Sequence, residues 1–484
     1  MTDIAFLSAT ELAELIANRS ISASELLALY LQRIDRFNPA LNAIVVQMRD
    51  TARAAAARVD RGVTAGSASG LMLGIPMTIK ESYNLAGTPT TWGNPDWLDN
   101  IPTDDALAVG KLKAAGAIVF GKTNVPLALA DFQSYNDIYG TTNNPYDLTR
   151  TPGGSSGGSA AALAAGLSAL EIGSDIGGSI RNPAHYCGVF GHKPTWNLLS
   201  SYGHSGPGEH RSSRDISVIG PLARSAADLE TAVRIMAGPD EIMARGYRLQ
   251  LPELPATGLR GLRIAVWQDD EMCPVSAEVR ARVAQVAQLL ADRGALIHWD
   301  ARPDFSADHS HDTFQTLLQA AMASRMPDAD YTRLKQYASS LDPNDSGSKA
   351  RVLRAQVASF KDWTASNELR HRLRWHWHRF FAEYDLLLTP IMPTAAFPHD
   401  HRPPGERTVT VDDLQLPYFQ QLFWAGLSGV AYLPSTVIPT GLNDAGLPIG
   451  LQLVGPEYGD LVTIGAARLL EADGCRFVPP PAYA

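Results

Sequence analysis

The 484-residue sequence predicts an α/β fold, and three stretches carry that expectation. In DALAVGKLKAAGAIVFGKTN (105–124), a helix-spaced apolar pattern stops at a glycine and passes into the short strand AIVFG. GLRIAVWQ (261–268) and AEVRARVAQVAQLLADRGALIHW (277–299) repeat the order strand, helix, strand. In LMLGIPMTIK (71–80), alternation toward the end puts Thr78 and Lys80 on one strand face and Met77 and Ile79 on the other. Strands alternating with helices imply a sheet with helices packed upon it.

The chain opens with two capping boxes, Ser8 with Glu11 and Ser22 with Glu25, each ahead of helix-spaced apolar residues. They predict a helical hairpin within about 1–60, followed by the low-complexity link GVTAGSASG (62–70). A core region is expected over about 70–235, with a helix in GGSAAALAAG after Ser156 and a short strand in ALEIG (169–173). From about 239 to 385 the charge rises and the longest helical patterns occur, including ELRHRLRWHWHRFFAEY (368–384); this part reads as a helical elaboration on the core. DLLLTP, from Asp385, returns to strand character, and the remainder to 484 rejoins the core. No internal repeat divides the chain, and one domain over 1–484 is expected.

Composition excludes several classes of function. With 45% hydrophobic residues the chain can bury a large core, and 41 Lys+Arg against 50 Asp+Glu leave a net charge of -9, so no field gathers a nucleic acid. No apolar run approaches the roughly 20 residues of a membrane span. The N-terminus carries an acid where a signal peptide has basic residues. Cys187, Cys273 and Cys475 fit no disulfide or metal spacing and read as free thiols, so a cytoplasmic location is expected. The close histidines of HSHD (309–312) and HWHR (376–379) lack a matching ligand set; no metal and no cofactor are expected.

Two glycine-serine clusters remain, TPGGSSGGSA (151–160) and EIGSDIGGSI (171–180). The first is not a phosphate loop, because Ser159 stands where the lysine is required. It matches GxSxG over Gly153–Gly157, but the residues before it, NNPYDLTRTP, are polar and proline-bound, whereas a nucleophile elbow turns sharply out of a buried strand. The plain alternative is that Ser155 or Ser156 caps the following helix. In the second cluster the amides of Ile176, Gly177 and Gly178 are placed to converge on an anion just before Ser179. A serine nucleophile needs a base. His185 and His192 sit in the structural-looking run NPAHYCGVFGHKPT, while Lys80 ends an apolar strand, where burial lowers a lysine from its reference value of about 10.4. An ordinary lysine at a strand end is the other reading.

Taken together, PMTIK with Lys80, PGGSSGGSAAALAAG with Ser155 and GSDIGGSIRNPAHYCGVFGHKPT with Ser179 resemble the amidase signature family of serine hydrolases, at spacings of 75 and 24 residues. GKTN, YGTTNNPYD, GPLARSAADL, YDLLLTPIMPT and GLPIGLQLVG extend the resemblance over most of the chain except its centre. It implies a large mixed β-sheet core sandwiched by α-helices. It further implies Ser179 as nucleophile, Ser155 as a bridging serine after a cis peptide from Gly154, and Lys80 as terminal base. Asp175 and Arg181 become a supporting pair that fixes the loop, with Ile176, Gly177 and Gly178, joined by Ser179, as the oxyanion hole.

The implied reaction is hydrolysis of amide-type bonds, including anilides and carbamates and extending to esters. The alternative is a glutamine-hydrolysing component of a tRNA-dependent amidotransferase, and a third reading is a catalytically idle scaffold on the same fold. The implied partner is a small-molecule amide or carbamate; nucleic acid and membrane are not expected, and a homodimer is left open. After GKTNVP the family often has an acid, whereas Leu127 and Leu129 stand here, which suggests a rather apolar pocket. Phe132, Tyr135 and Trp424 are candidates to line it.

Overall fold

The computed structural model describes residues 3–484 apart from 209, 247 and 346. Met1 and Thr2, which begin the expected hairpin, lie outside the described residues. Both capping boxes form: the Ser8 and Ser22 side chains accept from the amides of Glu11 and Glu25, whose carboxylates accept in return from the serine amides. They open α1 (Ala9–Ala17) and α2 (Ala23–Leu41), which bury Leu12, Ile16, Leu26, Leu27, Tyr30 and Ile34. The expected hairpin to residue 60 is more than two helices, because strand β1 (Ile44–Gln47) and helix α3 (Arg49–Ala65) follow. β1 lies two residues after α2 and one before α3, with no glycine or proline to mark either end.

The next elements are β2 (Pro76–Lys80), α4 (Leu107–Ala114) and β3 (Ile118–Thr123). β3 pairs antiparallel with β1 and parallel with β2, with Lys80 opposite Thr123. All of β2 is buried, so its alternation separates two covered faces and not a wet from a dry one. Lys80 thereby ends a strand buried along its whole length.

The core continues through α5 (Gly157–Ala164), β4 (Glu171–Asp175), α6 (Arg181–Tyr186), β5 (Phe190–Lys193), β6 (Val218–Ala223) and α7 (Ala226–Met236). The central region supplies β7 (Arg263–Val266), α8 (Ala277–Asp292) and β8 (Leu296–His298), then α9 (Ala307–Ala323), α10 (Asp328–Ser339), α11 (Ser348–Gln356) and α12 (Phe360–Glu383). The chain returns through β9 (Leu386–Pro390), α13 (Leu422–Gly429), β10 (Ser435–Leu442), β11 (Pro448–Val454) and α14 (Asp460–Ala472). Eight strands make one mixed sheet in the order β8-β7-β9-β11-β10-β5-β6-β4.

The parallel pairs are β8 with β7 and β7 with β9; the other neighbours run antiparallel. Helices α6, α7, α8 and α14 pack on this sheet. The central region holds the strand, helix and strand expected over 261–299 as well as the long helices, and β7 and β8 extend the main sheet at one edge. One contiguous apolar core runs from Ala5 to Tyr483. Cys187, Cys273 and Cys475 are free and buried. Among the described residues no helix is long and apolar enough to cross a membrane.

Candidate active site

Lys80, at the end of β2, is fully buried, and its Nζ lies 2.7 Å from Ser155 Oγ and 2.9 Å from Ser174 Oγ. Burial drives its ammonium well below the ordinary lysine range, and the attraction of Asp175 opposes this only in part. A lysine held neutral among hydroxyls is a proton acceptor.

Ser155 precedes α5 and follows a cis Gly154–Ser155 peptide. The amide of Gly154 donates to Asn182 Oδ1 at 2.9 Å, Ser134 Oγ donates to the Gly153 carbonyl, and the amide of Ser156 donates to the Ser179 carbonyl at 3.1 Å. The two glycine-serine clusters are thus tied backbone to backbone. The capping alternative fails on geometry: Ser156 occupies the N-cap position without a side-chain capping bond, and Ser155 is turned to Lys80.

The second cluster leaves β4 and turns back into α6. Asp175 organises that turn, accepting from the amides of Gly178 at 2.8 Å and Ile180 at 3.1 Å and from both Nε and Nη2 of Arg181 at 3.0 Å. Burial alone would raise its carboxyl, but the Arg181 charge, the Arg181 hydrogen bonds, Lys193 and the Gly178 amide outweigh that and hold it at about 2. Arg181 reaches on to Ser428 Oγ, Gln452 Oε1 and the Ala425 carbonyl. The supporting pair expected from the sequence is formed.

This arrangement corrects one expectation. The Gly178 N–H is committed to Asp175, because the carboxylate that shapes the turn sits beneath that amide. Among the described residues the amides of Ile176, Gly177 and Ser179 carry no hydrogen bond, so these three are free to donate.

Ser155, Ser174, Ile176 and Ser179 line a small, partly open cleft, together with Trp92, Ala128, Leu129, His204, Arg214, Ser217 and Met322. Ser179 Oγ has no hydrogen bond to Ser155 Oγ among the described residues, although both face this cleft. Leu129 lines it as expected, but Leu127 is 53% exposed, and a guanidinium, a histidine and four serines make the lining mixed instead of apolar. Phe132, Tyr135 and Trp424 do not line it. Trp424 is fully buried with Nε1 on the Cys273 carbonyl, Tyr135 OH accepts from Arg407, and Phe132 packs against Tyr418. Trp92 is the aromatic wall.

His185 and His192 are framework groups. His185 is held between the backbones of Gly450 and Thr394, and His192 between Thr436 Oγ1 and Asp460. Trp92, Ala128 and Met322 were not marked by the sequence, nor were four polar lining residues: Ser174, His204, Arg214 and Ser217. Ser174 lies inside the second cluster, one residue before Asp175, and the alternation of the strand was the signal available. The other three come from the polar loop between β5 and β6, where no periodicity marks the residues turned inward. His204 is buried with Nε2 2.9 Å from Ser82 Oγ; burial, then Lys80 and Arg214, push its imidazole well below its ordinary value. It carries no hydrogen bond to Ser155 or Ser179 among the described residues.

The sequence model of the family described as Amidase matches residues 25–463. A glutamyl-tRNA(Gln) amidotransferase subunit of Acidothermus cellulolyticus is 33% identical over 500 aligned residues, covering 96% of this chain and 94% of that protein. The indoleacetamide hydrolase of Bradyrhizobium diazoefficiens is 32% identical over 472 aligned residues, covering 96% of this chain and 86% of that one. Among solved structures, a fatty acid amide hydrolase superposes with a TM-score of 0.80 at 25% identity, covering 97% of this chain and 85% of the other. A family match over most of the sequence, with relatives aligned along nearly its whole length, shows that the chain belongs to the amidase signature family and is a hydrolase of carbon–nitrogen bonds other than peptide bonds.

Proposed function

We propose that this hydrolase cleaves small amides, and by the same route anilides, carbamates and esters, through an acyl-enzyme on Ser179. The observation that carries the reading is the buried contact of 2.7 Å between Lys80 Nζ and Ser155 Oγ, with Ser155 lining the same cleft as Ser179. Neutral Lys80 takes the proton of Ser155, Ser155 takes that of Ser179, and Ser179 Oγ bonds to the substrate carbonyl carbon. The relay requires Ser179 Oγ to come within hydrogen-bond reach of Ser155 Oγ; catalytic hydrogen bonds are often long without substrate and tighten in the complex.

The carbonyl oxygen becomes an oxyanion beside the amides of Ile176, Gly177 and Ser179, where one lost donor typically costs about 3 kcal/mol of transition-state stabilisation. The proton returns through Ser155 to the leaving nitrogen, the carbon–nitrogen bond breaks, and the amine departs. Water, deprotonated by the same relay, then releases the acid from Ser179. The test is labelling of the purified chain by a fluorophosphonate, followed by peptide mapping and an amide screen. Labelling on Ser179 with amide turnover supports the assignment; modification that persists in Ser179→Ala defeats it.

The second reading, a glutamine-hydrolysing component of an amidotransferase, is favoured by the 33% identity to the Acidothermus cellulolyticus protein. The lone chain decides between the two. Turnover of simple aryl amides without glutaminase activity supports the free-standing enzyme, and glutaminase activity that needs a partner protein supports the amidotransferase component.

A further inference from the structure

The cleft contains a cation that has no counter-ion among the described residues. Arg214 lines it, its Nε is buried without a hydrogen-bond partner, and among the described residues it forms no ion pair. Its guanidinium lies 5.3 Å from the Trp92 ring centroid, which fixes it in the wall. The adjacent Asp215 is turned elsewhere, accepting from Arg370 Nη1 at 2.6 Å and Tyr432 OH at 2.9 Å.

The neighbouring charge is of the same sign. Arg325, just after α9, donates to the carbonyls of Ser205 and Ser212 and pairs with no acid among the described residues. Burial, followed by repulsion from Arg325, lowers Arg214 to about 10, which leaves it a cation at neutral pH. Of the groups around it, His204 is held neutral, and among the described residues the cleft wall includes no aspartate or glutamate. A half-buried guanidinium with a buried, unused donor is costly unless something accepts from it, and a carboxylate matches its fork.

Resting on the hydrolase reading above, we propose that Arg214 is a substrate-binding residue, and that the substrate is a small amide bearing a carboxylate and no ammonium group. The carboxylate pairs with Arg214 while the amide carbonyl lies at Ser179, both residues lining the same cleft. A free α-amino acid such as glutamine would bring an ammonium into a wall that offers it no carboxylate.

The test compares near-isosteric pairs: succinamate with butyramide, and N-acetyl-β-alanine with N-propylacetamide. The acid of at least one pair is expected to show kcat/KM about 10- to 100-fold above its neutral partner, the range of a hydrogen bond to a charged group. In Arg214→Gln that ratio should fall toward one, and Arg214→Lys should keep part of it. Glutamine should be poorer than succinamate. Titration of succinamate and butyramide into the Ser179→Ala protein supplies a readout without turnover. Tighter binding of succinamate supports the anion site even if fluorophosphonate labelling fails to find Ser179 and the hydrolase reading falls. Equal kcat/KM within both pairs, together with equal affinity in Ser179→Ala, overturns the anion site while normal labelling would leave the hydrolase reading standing.

Discussion

Lys80 illustrates what one residue draws from its surroundings. The same side chain at a wet strand end would be protonated at neutral pH; buried 2.7 Å from Ser155 and 2.9 Å from Ser174, it favours the neutral form. We predict that Ser179→Ala abolishes amide turnover and that Lys80→Ala lowers kcat by roughly 10³-fold or more, as for groups that act as a unit; steady-state kinetics checks both. The acid limb of kcat/KM should lie well below pH 10.5, since the base is the neutral amine and burial favours it. A limb that stays near pH 10.5 would remove Lys80 from the role. Stability carries the same sign. Between the lowered folded value and the ordinary one near 10.5, the unfolded chain binds the extra proton, so this group makes stability rise with pH across that window. The thermal midpoint of Lys80→Met relative to the native protein should therefore improve as pH falls through it.

Two short turns hold the site, and each depends on glycine for a steric reason. At Gly154 an added Cβ would stand 2.4 Å from the Asp131 carbonyl and 2.7 Å from the Gln133 amide, both unyielding backbone. Gly154→Ala should displace Ser155 and lower kcat by at least about tenfold, a scale on which misplacement of about 1 Å acts. Gly178 has φ +111°, a region that side chains other than glycine rarely adopt, which lets its amide turn to Asp175. Asp175→Asn would leave the fully buried Arg181 without its counter-ion and should destabilise the protein by about 3–5 kcal/mol, read by denaturant unfolding. Asp175 also predicts acid behaviour: its contribution is complete above the unfolded value of 3.8 and is lost as pH falls through about 2. The two capping boxes, the strand at 76–80 and the helix after Ser156 were legible because each is a local pattern. Strand β1 was not, because it runs between two helices with no glycine or proline to bound it.

The whole molecule closes the site from its far end. Gln452 on β11 accepts from Arg181 Nη1 at 3.1 Å and Ser435 Oγ at 2.7 Å and donates to the carbonyls of Pro390 and Trp424. Residues near 180, 390, 424 and 435 therefore meet at one buried amide, where each unsatisfied group costs about 1–3 kcal/mol. Gln452→Leu should lower the thermal midpoint and kcat together, although it is remote from Ser179 in sequence; a loss of stability with unchanged kcat would separate the C-terminal strands from the loop. The central region takes part as well, since α9 brings Met322 to the cleft and Arg325 follows it.

The sequence by itself determined the α/β class, the order of most elements, the family and the candidate residues Lys80, Ser155 and Ser179, because short-range periodicity and fixed motif spacing are written along the chain. It also marked Asp175 and Arg181 as a pair. Only the tertiary structure decided which amides remain free around Ser179, because Gly178 is withdrawn by a carboxylate whose direction depends on Arg181, Ser428 and Gln452. The cleft wall was equally hidden. His204 and Arg214 come from a polar loop whose spacing resembles any surface loop, and their burial arises from packing against Tyr83 and Trp92, more than a hundred residues earlier. Burial is a property of neighbours in space, and pattern along the chain does not encode it for an irregular segment.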